Sequence, residues 1–117
     1  MTIRQTAIAL AMGIAGALMS PQTIAAASFE ECEQAAQFIG NAARARDLGM
    51  SREEFLAHMQ ADLEVIRSFP PEMRWFAETE QDEQFLLKGA REVFDHPSPP
   101  ETHATRFERA CVSRADV

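Results

Sequence analysis

The sequence predicts an all-α protein, a small antiparallel four-helix bundle with one disulfide joining the first and last helices, preceded by a cleavable signal peptide. Three observations carry that expectation. After residue 28, apolar side chains recur at spacings of three and four. Helix-start chemistry (Ser, Thr or Pro) opens each segment, and Gly or Pro closes the first three. No stretch alternates or gathers β-branched residues as a strand does. The length, 117 residues, suits one domain, and 46% hydrophobic with 25% charged residues is ordinary globular composition.

Residues 1–27 stand apart from the rest. Arg4 supplies a positive start, no Asp or Glu occurs before Glu30, and residues 7–19 form an apolar run. Pro21 and then Ala25-Ala26-Ala27 complete the pattern of a secretory signal peptide cleaved after Ala27. The apolar run falls short of the roughly 20 residues that span a bilayer. No Cys lies at the cleavage point, which argues against a lipid-anchored form. The expectation is therefore a periplasmic or secreted helical domain over residues 28–117, with no membrane span after cleavage.

Within that domain the elements are well punctuated. Ser28-Phe29-Glu30-Glu31 is a capping box, in which the Ser oxygen accepts from the N3 amide and Glu31 reaches back. Phe29, Cys32, Ala36, Ile39 and Ala43 form the first apolar stripe, and Gly49 suits the left-handed position after its end. Ser51 with Glu54 reads as a second capping box, with Met50 stapled on Phe55. The buried face of this helix is Phe55, Leu56, Met59, Leu63 and Ile66, and Pro70-Pro71 stops it. Residues 71–79 leave two readings open. Pro71 starts a short helix and Thr79 caps a longer one, or a single helix runs over 71–95. His96-Pro97 ends it either way. Ser98-Pro99-Pro100-Glu101 reads as a third capping box before a last helix with Ala104, Phe107 and Cys111 inward.

A domain of this size buries a modest fraction of its surface and is thermodynamically marginal. Both cysteines, Cys32 and Cys111, lie in it, and export places them where a disulfide persists. An intramolecular bond closes most of the domain into one loop and is worth about 4–5 kcal/mol in the chain-entropy model. Intermolecular pairing and two free thiols are the alternatives. Cys32 sits in the first turn of the first helix and Cys111 near the end of the last. An up-and-down chain returns to its starting end only after an even number of traverses. Four helices satisfy that, and three of similar length do not.

The order of features is a signal peptide, an early Cys, an Ala-rich helix, Arg46-Asp47-Leu48-Gly49-Met50-Ser51, then Val93-Phe94-Asp95-His96-Pro97, and a closing Cys111. It resembles a loose group of small exported helical proteins of proteobacteria with the pattern Cys…Ala-Arg-Asp-x-Gly-x-Ser…Val-Tyr-x-x-Pro…Cys. Phe94 stands where the group has Tyr, and residues 69–76 have the character of an insertion. The resemblance implies an extracytoplasmic location, the helical fold and the disulfide, and it brings no catalytic residue and no cofactor.

The chemistry legible in the chain is sparse. A net charge of −7 argues against nucleic-acid partners, which need a basic footprint, and against anionic lipid. His58, His96 and His103 fall on different helices or their ends. Glu54 with His58 and Glu92 with His96 are spaced i, i+4, which suits a surface salt bridge better than a metal site. No zinc-protease, phosphate-loop or nucleophile-elbow motif occurs, so no metal, cofactor or enzymatic activity is expected. Glu78, Glu80, Asp82 and Glu83 suit a helix N-terminus. The segment Phe69-Pro70-Pro71-Glu72-Met73-Arg74-Trp75-Phe76 concentrates the single Trp, two Phe, a Met and an Arg at a proline break. Core plug and binding surface are its two readings, and Trp75 and Phe76 as neighbours cannot easily both point inward. The candidate interaction surface is Phe69, Met73, Arg74, Trp75, Phe76, Glu80 and Glu83, facing a protein or a small apolar ligand. The expected function is a non-enzymatic binding module. The alternative is an acid-stress chaperone, whose carboxylates, once protonated, loosen the bundle and expose apolar surface.

Overall fold

A computed structural model describes residues 27–115. The expected signal peptide lies outside the described residues apart from Ala27, which is buried. Four α-helices follow in order: α1 Phe29–Asp47, α2 Arg52–Arg67, α3 Glu80–Asp95 and α4 Pro100–Ala115, with a 3₁₀ turn at Pro71–Met73 between α2 and α3. The described residues contain no strand.

Local chemistry explains most of the boundaries. Ser28 accepts from the Glu31 amide and Glu31 accepts from the Ser28 amide, so the first capping box forms in full. At the other end of α1, the Met50 N–H donates to Ala45 and the Gly49 N–H to Arg46. That is a Schellman motif, and it needs the positive φ of 108° that Gly49 supplies without a Cβ clash. Thr79 caps α3 in a reciprocal box with Asp82. This settles the open reading of residues 71–95 as two pieces.

Two expected boxes change. Ser51 accepts from the Glu54 amide at 3.0 Å, but Glu54 does not return the bond. At α4 the box is absent. The Pro99 carbonyl already accepts from the Thr102 and His103 amides, so the helix begins one residue later than Ser98 requires. Ser98 turns its own amide to the His103 ring, and Glu101 reaches toward Arg44 on α1 at 3.6 Å.

The bundle is rhombic more than square. Consecutive helices run antiparallel, and the backbone of α1 lies close to both α4 and α3, while α3 lies close to α2. Small residues make this possible: Ala35, Ala36, Ala42 and Ala43 of α1 are buried, and Gly40 of α1 faces Ala104 of α4. The α1/α2 and α3/α4 backbones stand further apart. Aromatic rings fill those seams, with Phe38, Phe55 and Phe94 in one string and Phe76, Phe107 and Phe85 in another, at centroid separations of 5.0–6.2 Å. Cys32 and Cys111 are bonded, with their Cα atoms 5.7 Å apart, and the bond joins the first turn of α1 to the last turns of α4. Both are fully buried in the core. Between α2 and α3, Arg52 pairs with Asp95 and holds its carboxyl below the usual carboxylate range.

Candidate functional site

The α2–α3 junction is built on a single arginine. Arg74 donates from Nε to the Phe69 carbonyl at 2.8 Å, from Nη2 to the Arg67 carbonyl at 3.1 Å and from Nη1 to the Glu78 carbonyl at 3.3 Å. The first two carbonyls lie at the C-terminal end of α2, where helical partners run out and a positive charge is favoured by the macrodipole. A segment with two prolines thus keeps one fixed course across the end of the bundle.

That course sorts the aromatic side chains. Phe76 is buried, with its ring 6.2 Å from Phe107 and 5.8 Å from Trp75. Trp75 stays 36% exposed and donates its indole N–H to Gln34 of α1 at 2.8 Å. Phe69 and Met73 are 46% and 68% exposed. Of the candidate surface, Phe69, Met73, Trp75 and Glu80 reach solvent. Phe76 plugs the core, Arg74 is occupied with carbonyls, and Glu83 is buried.

The acidic start of α3 is divided in the same way. Glu83 accepts a forked pair from Arg67 at 2.7–3.0 Å, tying α3 to α2. Asp82 caps its own helix with one oxygen and accepts from Arg114 of α4 at 2.8 Å with the other. The same guanidinium lies 4.4 Å from the centroid of the Phe85 ring. These two carboxylates are structural ties, each buried and each met by a charged donor. Their partners stand 16 and 32 positions away, beyond the reach of any local pattern.

The α3–α4 junction has an arginine of its own. Arg46, near the end of α1, donates to the Val93 carbonyl at 2.7 Å and to the Ser98 carbonyl at 2.9 Å, and leans on Asp47. Beside it, His103 is 4% exposed and accepts at Nε2 from the Ser98 amide at 2.9 Å. Burial, reinforced by the positive charges of Arg46 and Arg106, pushes this imidazole below its ordinary value, against a weaker pull from Glu92. Sequence reasoning passed over this residue as one of three scattered histidines. His58 and His96 are exposed, and neither makes the expected salt bridge with Glu54 or Glu92.

No group of three or more His, Cys, Asp or Glu among the described residues is placed to hold a metal ion, and both cysteines there are in the disulfide. Compared with protein-family models, curated proteins and solved structures, the chain gives no significant match.

Proposed function

We propose that the chain is an exported, non-enzymatic interaction module that docks a protein partner on the α2–α3 junction. The observation that carries the reading is the pairing of exposed apolar side chains with a fixed backbone. Phe69, Met73 and Trp75 are held in water by a segment whose course three arginine hydrogen bonds define. A surface ordered in advance loses little entropy on association. The rim gives the partner its chemistry. Glu72, Glu80 and Glu64 are exposed around it, and the chain carries a net charge of −7, so the fitting surface is apolar with a basic border. The buried disulfide suits an oxidising compartment, and no helix among the described residues is long and apolar enough to cross a membrane.

The test uses Trp75 as its own reporter. Residues 28–117, oxidised, are titrated with a synthetic basic amphipathic helical peptide and with its acid-for-base counterpart. The expected result is a saturable blue shift with the basic peptide, weakened about tenfold or more by Phe69→Ser with Met73→Ser. No shift, or equal binding of both peptides, overturns the reading. Sedimentation that shows the patch covered by a second copy overturns it as well.

A further inference from the structure

The wider α3/α4 seam is not completely filled. Between these helices lies a cleft of about 90 Å³, floored by Ile39, Phe85 and Phe107. Gly89 of α3 lines it. A Cβ on that residue would stand 2.7 Å from the Phe107 ring, so the ring occupies the place of the missing side chain and leaves space beside it. A glycine in a helix interior costs about 1 kcal/mol relative to Ala, and the close approach of the Phe107 ring requires it here.

The wall of this cleft is chemically uneven. Lys88 and Arg106 stand at its rim, exposed and without a hydrogen bond or ion pair among the described residues. His103 lines it from within. A backbone amide can only donate, so the bond from Ser98 fixes His103 Nε2 as an acceptor and places the ring proton on Nδ1. Nδ1 has no partner among the described residues, yet it is not sealed off. The residue is 4% exposed and lines the cleft. His103 thus brings one N–H donor to a cleft whose other polar side chains are the two cations and Glu92.

We infer that this cleft binds a short-chain alkyl carboxylate, with the carboxylate on the Nδ1–H of His103 and the charges of Lys88 and Arg106, and the alkyl carbons on Ile39, Phe85 and Phe107. The volume equals about three waters' share of liquid. That suits a chain of two to four carbons, roughly acetate to butyrate, on the same scale. The aromatic floor selects against an inorganic oxyanion, which gains nothing from apolar contact. Glu92 at the rim opposes negative charge, and a dicarboxylate more than a monocarboxylate, so monocarboxylates are preferred.

The experiment is an NMR titration of isotope-labelled, oxidised residues 28–117 with sodium acetate, propionate and butyrate, against sodium phosphate and sodium chloride at matched ionic strength. Saturable shifts at the Gly89 and Ala110 amides and at the His103 ring are expected, tightest with propionate or butyrate. Arg106→Gln, at an exposed position, should weaken binding about tenfold, the scale of one charge-assisted hydrogen bond. Ala110→Leu should fill the cleft from its exposed rim and abolish binding, while the helical circular dichroism and thermal melt of both variants stay those of the parent. Phosphate binding in preference to the carboxylates overturns the inference. So do shifts that chloride reproduces, or shifts that Arg106→Gln and Ala110→Leu leave unchanged.

Discussion

The junction at 68–79 and the junction at 96–99 both carry prolines, and both are held by an arginine that donates to main-chain carbonyls. They differ in where the arginine comes from. Arg74 belongs to the segment it organises and reaches carbonyls four to seven positions away. Arg46 comes from α1 and reaches across 47 and 52 positions. The local clamp shapes a loop on itself and leaves Phe69, Met73 and Trp75 outside. The distant clamp pins its loop to the bundle and encloses His103. Carbonyl satisfaction is the common requirement, and the origin of the donor decides whether the loop becomes a presented surface or part of the interior.

The largest expected effect comes from removing the covalent tie that fixes α4, and with it the far side of the second junction. Cys32→Ser with Cys111→Ser should lower unfolding free energy in urea by about 2–5 kcal/mol. A stability equal to the parent's would mean that Arg46 and the α1/α4 packing hold α4 unaided. Next come the two clamps themselves. Arg46→Ala leaves two carbonyls unmet at a largely buried position and should cost about 2–4 kcal/mol, whereas Arg74→Ala, nearer solvent, should cost about 1 kcal/mol. Equal losses in parallel urea titrations would erase the distinction between them.

The two junctions should also part in their response to acid. Folded His103, enclosed with Arg46 and Arg106 and opposed weakly by Glu92, holds a proton less tightly than the unfolded chain does. Below about 6.5 the unfolded chain therefore takes up protons first, and stability falls as pH falls through that window. His103→Gln, which can accept from Ser98 without titrating, should flatten the profile between pH 7 and 5 in steps of urea unfolding (~2 units of pH around the imidazole range). The smallest effect on folding belongs to the exposed junction. Met73→Ser should stay within about 0.5 kcal/mol of the parent while reducing basic-peptide binding. A large loss of stability there would turn the presented surface into core.

The parts of this architecture that were legible beforehand are those governed by near neighbours. Ser28 with Glu31, Gly49 after the end of α1, and the paired prolines act within a few residues, so composition and spacing reveal them. Parity placed Cys32 beside Cys111 because topology constrains both ends of a bundle at once. The capping box expected at Ser98 gives way because two competitors are stronger. The Pro99 carbonyl starts the helix, and the Ser98 amide finds a ring nitrogen five residues on. Asp82 and Glu83 looked like macrodipole decoration because Arg114 and Arg67 are distant in sequence. Of the candidate surface, Phe76 turns into the core and Arg74 onto backbone carbonyls for reasons of backbone direction, which residue type does not encode. The sequence does carry one signal at the cleft: Gly89 interrupts the apolar run Leu86, Leu87, Ala90, where an interior glycine marks a close approach.

The bond between Cys32 and Cys111 also decides how the domain answers to mechanical load. Tension applied at the two ends of the chain reaches Cys32 from one side and Cys111 from the other, and passes directly between them through sulfur. All of α2 and α3, and all but the first three residues of α1 and the last four of α4, lie inside the closed loop, off the line of force. Under oxidising conditions a pull can straighten only what lies outside residues 32–111, and the fold stays unloaded until a reductant opens the bridge. After reduction the same pull peels α1 from α4 at their shared end, one pair of turns at a time.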